Sequence, residues 1–79
     1  MKTKRNTEAE RIHRAYAVAM RQKKTVLDDR ERRIIERYYG FNGEFRHTLQ
    51  EIGEEEGVTR ERIRQIKHYA IRKIGAAED

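Results

Sequence analysis

Residues 48–74, TLQEIGEEEGVTRERIRQIKHYAIRKI, carry the pattern that decides how this chain folds. Thr48 and Glu51 have the three-residue spacing of a capping box, in which each side chain satisfies the other's backbone amide at a helix start. Leu49 and Ile52 then point one way, and Gly53 leaves room for another helix to approach closely. Gly57 supplies a left-handed residue that ends the helix without a Cβ penalty. Thr59 caps the next helix, with Val58 and Ile63 at the two positions of a hydrophobic staple. The result is two short helices around a tight turn, the plan of a helix-turn-helix. Its second helix leads with Arg60, Glu61, Arg62, Arg64 and Gln65. A recognition helix presents DNA-reading side chains from that end.

Upstream the pattern stays helical. Asp28 and Glu31 form a second box, Leu27 stands just ahead of it, and Ile34, Ile35 and Tyr38 fall on one face. Gly40 followed by Phe41 reads as a glycine stop with an apolar residue beyond it, and Asn42-Gly43 as a loop tip. A further box at Thr7–Glu10 opens a helix expected to run to about Lys23, with Ile12, Ala15, Tyr16, Ala19 and Met20 as its apolar stripe. Residues 1–6 read as a flexible basic arm and 75–79 as a frayed tail. Between them, residues 7–74 form one compact all-α domain of four helices, closed by the helix-turn-helix at 48–74.

Composition narrows the partners. The 79 residues are 35% hydrophobic and 42% charged, with no proline and no cysteine. One small helical core is all such a chain can bury. Neither a disulfide framework nor a cysteine zinc site is available. The net charge of +5 is unevenly spread: residues 1–40 hold 12 Lys/Arg against 6 Asp/Glu, and residues 41–79 hold 7 against 8. Within the second half, base gathers at Arg60, Arg62, Arg64, Lys67, Arg72 and Lys73. A polyanion finds its positive surface on the second helix of the pair. The acidic run Glu54-Glu55-Glu56 reads as a solvated face that keeps DNA off the wrong side. No apolar run has the length of a membrane span, so a cytoplasmic, nucleoid-associated location is expected.

On the recognition helix, Arg60, Glu61 and Arg64 share much of one face, and Gln65 extends it one turn beyond Glu61. Ile63, Ile66, Ala70 and Ile74 lie on the opposite stripe. Arginine can bond guanine O6 and N7 together, glutamate can accept from the cytosine amino group, and glutamine can pair with adenine. An acid set among arginines favours base readout over simple electrostatics. The bland alternative is a solvated face of side-chain pairs worth a few tenths of a kcal/mol each.

The run VTRERIRQI, following TLQEIG at this spacing, resembles region 4 of the sigma-70 family of bacterial transcription initiation factors. Leu27-Asp28-Asp29-Arg30-Glu31, Ile34-Ile35 and Tyr39-Gly40 are similar to the family's preceding segment, and the loop from Gly40 to Thr48 keeps its spacing. The resemblance covers about residues 27–74. It implies that Arg60, Glu61 and Gln65 read a promoter −35 element, with Arg64 beside them. It also implies that Arg30, Thr48, the backbone at Leu49, Thr59 and Arg62 meet the sugar-phosphate rim, a set that Lys67 joins on charge. Helix N-termini at Thr48 and Thr59 suit that work, while Arg30 reads equally as a helix-surface ion pair.

The same resemblance implies docking on the β flap of RNA polymerase through an apolar groove lined by Ile12, Tyr16, Ala19, Met20, Ile34 and Ile35. Read singly, each of these is more simply a core residue. Two positions depart from the family. Tyr38 stands where an arginine is common, which removes one phosphate contact. Tyr69 stands where a lysine often meets activators, leaving Lys73 at that patch.

No catalytic constellation is present: His13, His47 and His68 lack ligand spacing, and no metal or cofactor is expected. Nothing resembles the sigma segment that melts the −10 element, so alone the chain is not expected to initiate transcription. An excised domain, a free-standing sigma-like protein and a subunit of a split factor all fit. Two other activities remain open. One is an interaction protein that occupies the flap and displaces the resident sigma factor. The other is a dimeric repressor on a palindromic site, although the free chain is expected to be a monomer.

Overall fold

The computed structural model describes residues 7–21 and 27–75, which form four helices: α1 (Thr7–Arg21), α2 (Asp29–Tyr39), α3 (Leu49–Glu56) and α4 (Arg60–Lys73). The ends of α2, α3 and α4 are where local chemistry places them. Asp28 caps α2 in a full capping box, its Oδ1 accepting from the Glu31 amide at 2.8 Å and its own amide donating to Glu31 Oε1 at 3.0 Å. Thr48 and Glu51 repeat the arrangement at α3. Gly40 and Gly57 close α2 and α3 with φ near +75°, and the amide one residue further reaches back to the carbonyl of Glu36 or Gly53. This is the bonding of a Schellman stop. The expected Thr7–Glu10 box and the end of the first helix near Lys23 lie outside the described side chains and residues, as do the basic arm and residues 76–79. Gly75, assigned from sequence to a fraying tail, donates its amide to the Arg72 carbonyl at 3.0 Å.

Two apolar clusters hold the helices together. Ile34 of α2 meets Ile52, Ile63 and Ile66, locking the helix-turn-helix onto α2, with Leu49 and Val58 packed at the edge. Ile12 and Tyr16 of α1 meet Leu27, Ile35, Phe41, Ala70 and Ile71, tying α1 to α2 and the C-terminal half of α4. Ile71 is buried although the stripe read from sequence omitted it, and Ile74 is only half-buried. Met20 is 36% exposed, so the apolar stripe of α1 ends at Ala19. Helical spacing alone places these side chains to within one residue, and the position of the neighbouring helices decides the rest.

The turn between α3 and α4 is tight because Gly53 allows it. A Cβ at Gly53 would lie 2.7 Å from the Val58 carbonyl oxygen. The close approach is therefore made by the backbone of the turn and the first residue of α4, not by the side of a packed helix as expected from sequence.

Polar ties supplement the core. Tyr16 donates its hydroxyl to the Glu36 carboxylate, and burial with that bond pushes the phenol well above its usual pKa. Glu31 is buried, and its second carboxylate oxygen accepts from Lys73 Nζ at 2.7 Å, joining the start of α2 to the end of α4. The acidic run is the solvated face expected from sequence at Glu54 and Glu55, which are exposed, but not at Glu56. The Glu56 side chain is 7% exposed and sits among Arg30, Arg33 and Arg37, while Glu55 faces Arg37 and His47. Three arginines on α2, spaced three to four residues apart, converge on the last residue of α3.

Candidate nucleic-acid interface

Thr59 fixes the start of α4, its Oγ1 accepting from the Arg62 amide at 3.1 Å. With Ile63, Ile66, Ala70 and Ile71 anchored in the core, a rotation of 100° per residue leaves the other stripes outside. Arg60, Glu61, Arg64 and Gln65 are all exposed in the first two turns. Glu61, Arg64 and Gln65 are also paired with one another or with a neighbour. Arg64 reaches across Glu61 with Nε–Oε1 at 3.0 Å and Nη2–Oε2 at 2.6 Å, and Arg62 Nη1 donates to Gln65 Oε1 at 3.4 Å. The Arg64 bond holds the Glu61 carboxyl below the usual carboxylate range. The donors and acceptors of this face are on the surface.

The expected phosphate-contacting residues fall on two flanks of α4. Along the side of Arg60, a cleft is lined by Tyr38, Arg46, Thr48, Leu49 and Gln50. Here the first amides of α3 stand beside two guanidinium groups, an arrangement that suits an anion. On the other side, Arg30 of α2 lines a second cleft with Arg62, Tyr69, Arg72 and Lys73, in which Asp28 and Glu31 also stand. A helix entering a groove from its N-terminus has a phosphate backbone on each side, and cations flank α4 on both.

Individual residues differ from the sequence reading in their surroundings. Arg30 is engaged with Glu56, Nε–Oε1 at 3.2 Å and Nη2 to the backbone carbonyl at 3.3 Å, so its ion-pair reading is realised in the free chain. Lys67 is half-buried, with its Nζ 4.6 Å from the centroid of the Tyr38 ring. Burial there pulls its ammonium below the ordinary lysine pKa. Lys73, left by the sequence reading as the cation of an activator patch, is bonded to Glu31, and Tyr69 beside it is 60% exposed. His47 packs near the α3 cap, its Nδ1 2.7 Å from the Phe45 carbonyl oxygen.

Sequence reasoning missed Arg46, whose cleft position depends on how the loop from Gly40 to Thr48 folds back. That loop is held by the His47 amide donating to the Arg37 carbonyl at 2.8 Å. It also missed Glu56 as a hub, because its partners lie 19 to 26 positions away in the chain.

Of the residues expected to line a groove for a polymerase helix, Ile12, Tyr16, Ala19, Ile34 and Ile35 are buried. In this arrangement α1 itself fills the space, and Met20 with its neighbour Val18 is what remains on the surface. No cluster of three or more potential metal ligands occurs among the described residues, and no described helix is long and apolar enough to cross a membrane.

Comparison with known proteins identifies the family of the sequence. A family model described as Sigma-70, region 4 matches residues 25–75. Two curated relatives, each called RNA polymerase sigma factor SigA, come from Listeria monocytogenes and Listeria innocua. Each is 43% identical over 65 residues, covering 78% of this chain and 17% of the relative. The chain thus spans about a sixth of the length of those relatives. No solved structure matches.

Proposed function

Since the chain belongs to the sigma-70 region 4 family, we propose that it binds promoter DNA of the −35 type, with α4 in the major groove, and docks on bacterial RNA polymerase. The observation that carries the DNA reading is the first two turns of α4. Arg60, Glu61, Arg64 and Gln65 stand clear of the core on a helix whose opposite stripe is fully anchored. Arginine, glutamate and glutamine on one rigid surface offer the donors and acceptors that distinguish base pairs in the major groove. Thr48, Leu49 and Thr59 supply rim contacts through helix N-termini, and Arg30, Arg62 and Lys67 supply them through charge. For Arg30 the contact competes with its bond to Glu56.

Docking on the polymerase belongs on the α1 side of the domain, where Val18 and Met20 are exposed. Engagement of Ile12, Tyr16, Ala19, Ile34 and Ile35 by a flap helix requires α1 to move off α2. Tethering to polymerase raises the effective concentration of the domain at its DNA site, so modest intrinsic DNA affinity is compatible with the role.

Amide chemical-shift mapping on addition of a −35-type duplex tests the placement. Perturbations centred on Arg60–Gln65 and on the Thr48 turn are expected. Perturbations confined to α1, or none at saturating duplex, would leave polymerase as the primary partner and count against DNA reading.

A further inference from the structure

Among the described residues, the Lys67–Tyr38 pair is where a cation on the flank of α4 is held by aromatic rings instead of a carboxylate. Lys67 lies seven residues beyond Arg60, two turns along the same flank of α4 and about 10 Å further from its N-terminus. Its Nζ stands 4.6 Å from the Tyr38 ring centroid and 5.9 Å from that of Tyr39, and the two rings meet edge to face at 4.9 Å. Tyr38 also lines the cleft that contains Arg46, Thr48, Leu49 and Arg60. The ring that carries the ammonium is thus part of the wall of the anion-suited cleft.

We propose that Lys67 grips a DNA phosphate and that Tyr38 is the residue that positions it, a reading that rests on the DNA-binding role proposed above. Three physical points support this. A lysine on a free surface loses most of its side-chain entropy only on binding, whereas the Tyr38 face fixes this one beforehand. An ammonium has three N–H donors, and the ring faces one side of it, leaving donors for an oxyanion. Among the described residues no carboxylate lies within salt-bridge distance of Lys67; Glu8 acts on it only at longer range. On the same helix Arg64 and Lys73 are each bonded to a carboxylate, whereas the Lys67 ammonium, set against the Tyr38 ring, is left for a ligand. Tyr38, with no charge of its own, thereby becomes part of the phosphate rim.

The test is duplex binding against salt concentration for the whole chain and for Lys67→Gln, Tyr38→Phe, Tyr38→Leu and the Tyr38→Leu/Lys67→Gln double variant. Each phosphate neutralised contributes about 0.9 to the slope of log affinity against log salt. Lys67→Gln should lower the slope by about that amount and weaken native and scrambled duplexes alike. Tyr38→Phe keeps the ring and should keep the slope. Tyr38→Leu should lose most of the Lys67 contribution, and the double variant should fall no further than Lys67→Gln. A slope unchanged by Lys67→Gln overturns the proposal while leaving the DNA-binding role intact. So does a folded Tyr38→Leu variant with the wild-type slope, the outcome expected if the ring merely packs against the lysine stem. If the wild-type chain binds no duplex, both readings fall together.

Discussion

Glu56, the last residue of α3, lies against Arg33 of α2, with Arg33 Nη2 2.9 Å from its Oε1. Arg30 approaches the same carboxylate oxygen, and its Nη2 also donates to the Glu56 backbone carbonyl. A carboxylate at a helix C-terminus opposes the helix dipole, and here the arginines of α2 offset that. They also satisfy a carbonyl that the end of α3 leaves without an intrahelical partner. The tie fixes the first helix of the helix-turn-helix to the scaffold, and so fixes the angle at which α4 is offered.

The first prediction concerns acid. Bonding to Arg33, foremost, and to Arg30 depresses the Glu56 carboxyl from 4.5 to about 2. A depressed carboxylate contributes stability that is complete above its unfolded-state pKa and is lost as pH falls through the folded value. Thermal unfolding from pH 7 to pH 2 should show wild-type stability declining between about 4.5 and 2. Glu56→Gln should flatten part of that decline and cost about 1–2 kcal/mol at neutral pH, less than a fully buried pair because its arginines reach solvent. Identical pH profiles for the two proteins would contradict the assignment.

Gly53 gives the second prediction. A Cβ there meets the Val58 carbonyl at 2.7 Å and the Arg60 amide nitrogen at 3.3 Å, both backbone atoms that cannot rotate away. Gly53→Ala should destabilise by about 1–3 kcal/mol, despite the better helix propensity of alanine. In a domain of this size that lowers Tm by roughly 4–8 °C for each kcal/mol. An unchanged or raised Tm would show that the turn relaxes without cost.

The third concerns discrimination. Arg64 is neutralised by Glu61 in the free protein through two bonds of 3.0 and 2.6 Å. Glu61→Gln should release Arg64 to nonspecific phosphate contact, strengthening binding to scrambled duplex and steepening the salt slope by up to about 0.9. Preference for the −35 sequence should narrow at the same time. Weaker binding to both duplexes would show instead that Glu61 serves chiefly to hold Arg64 in place.

Much of the fold was legible because its determinants are local. The boxes at Asp28–Glu31 and Thr48–Glu51 and the glycine stops at Gly40 and Gly57 depend on spacings of a few residues, and each formed as read. Non-local features were not legible. Glu56 looked like one solvated acid among three because its arginine partners lie on another helix, and only packing of α2 on α3 brings them together. Lys67 looked like one more surface cation, since nothing in the sequence places it over a tyrosine 29 positions earlier. Met20 and Ile71 were misassigned for a related reason: each sits at the border of an amphipathic face, where only the neighbouring helix decides exposure. The residues expected to line a groove met the same limit, since an apolar stripe has one pattern whether it receives a partner or, as with Ile12 and Tyr16, packs into its own core.

The central claim, that α4 reads bases, is tested most directly by fluorescence anisotropy with a labelled TTGACA duplex and a scrambled control, across salt, for the wild type and Arg60→Ala/Gln65→Ala. The wild type should prefer the TTGACA duplex by about tenfold or more, as expected when bidentate base contacts contribute 1–3 kcal/mol each. The double variant should lose that preference while keeping salt-sensitive binding to both duplexes. A wild-type protein that binds the two duplexes alike, or a double variant that still discriminates between them, would contradict it.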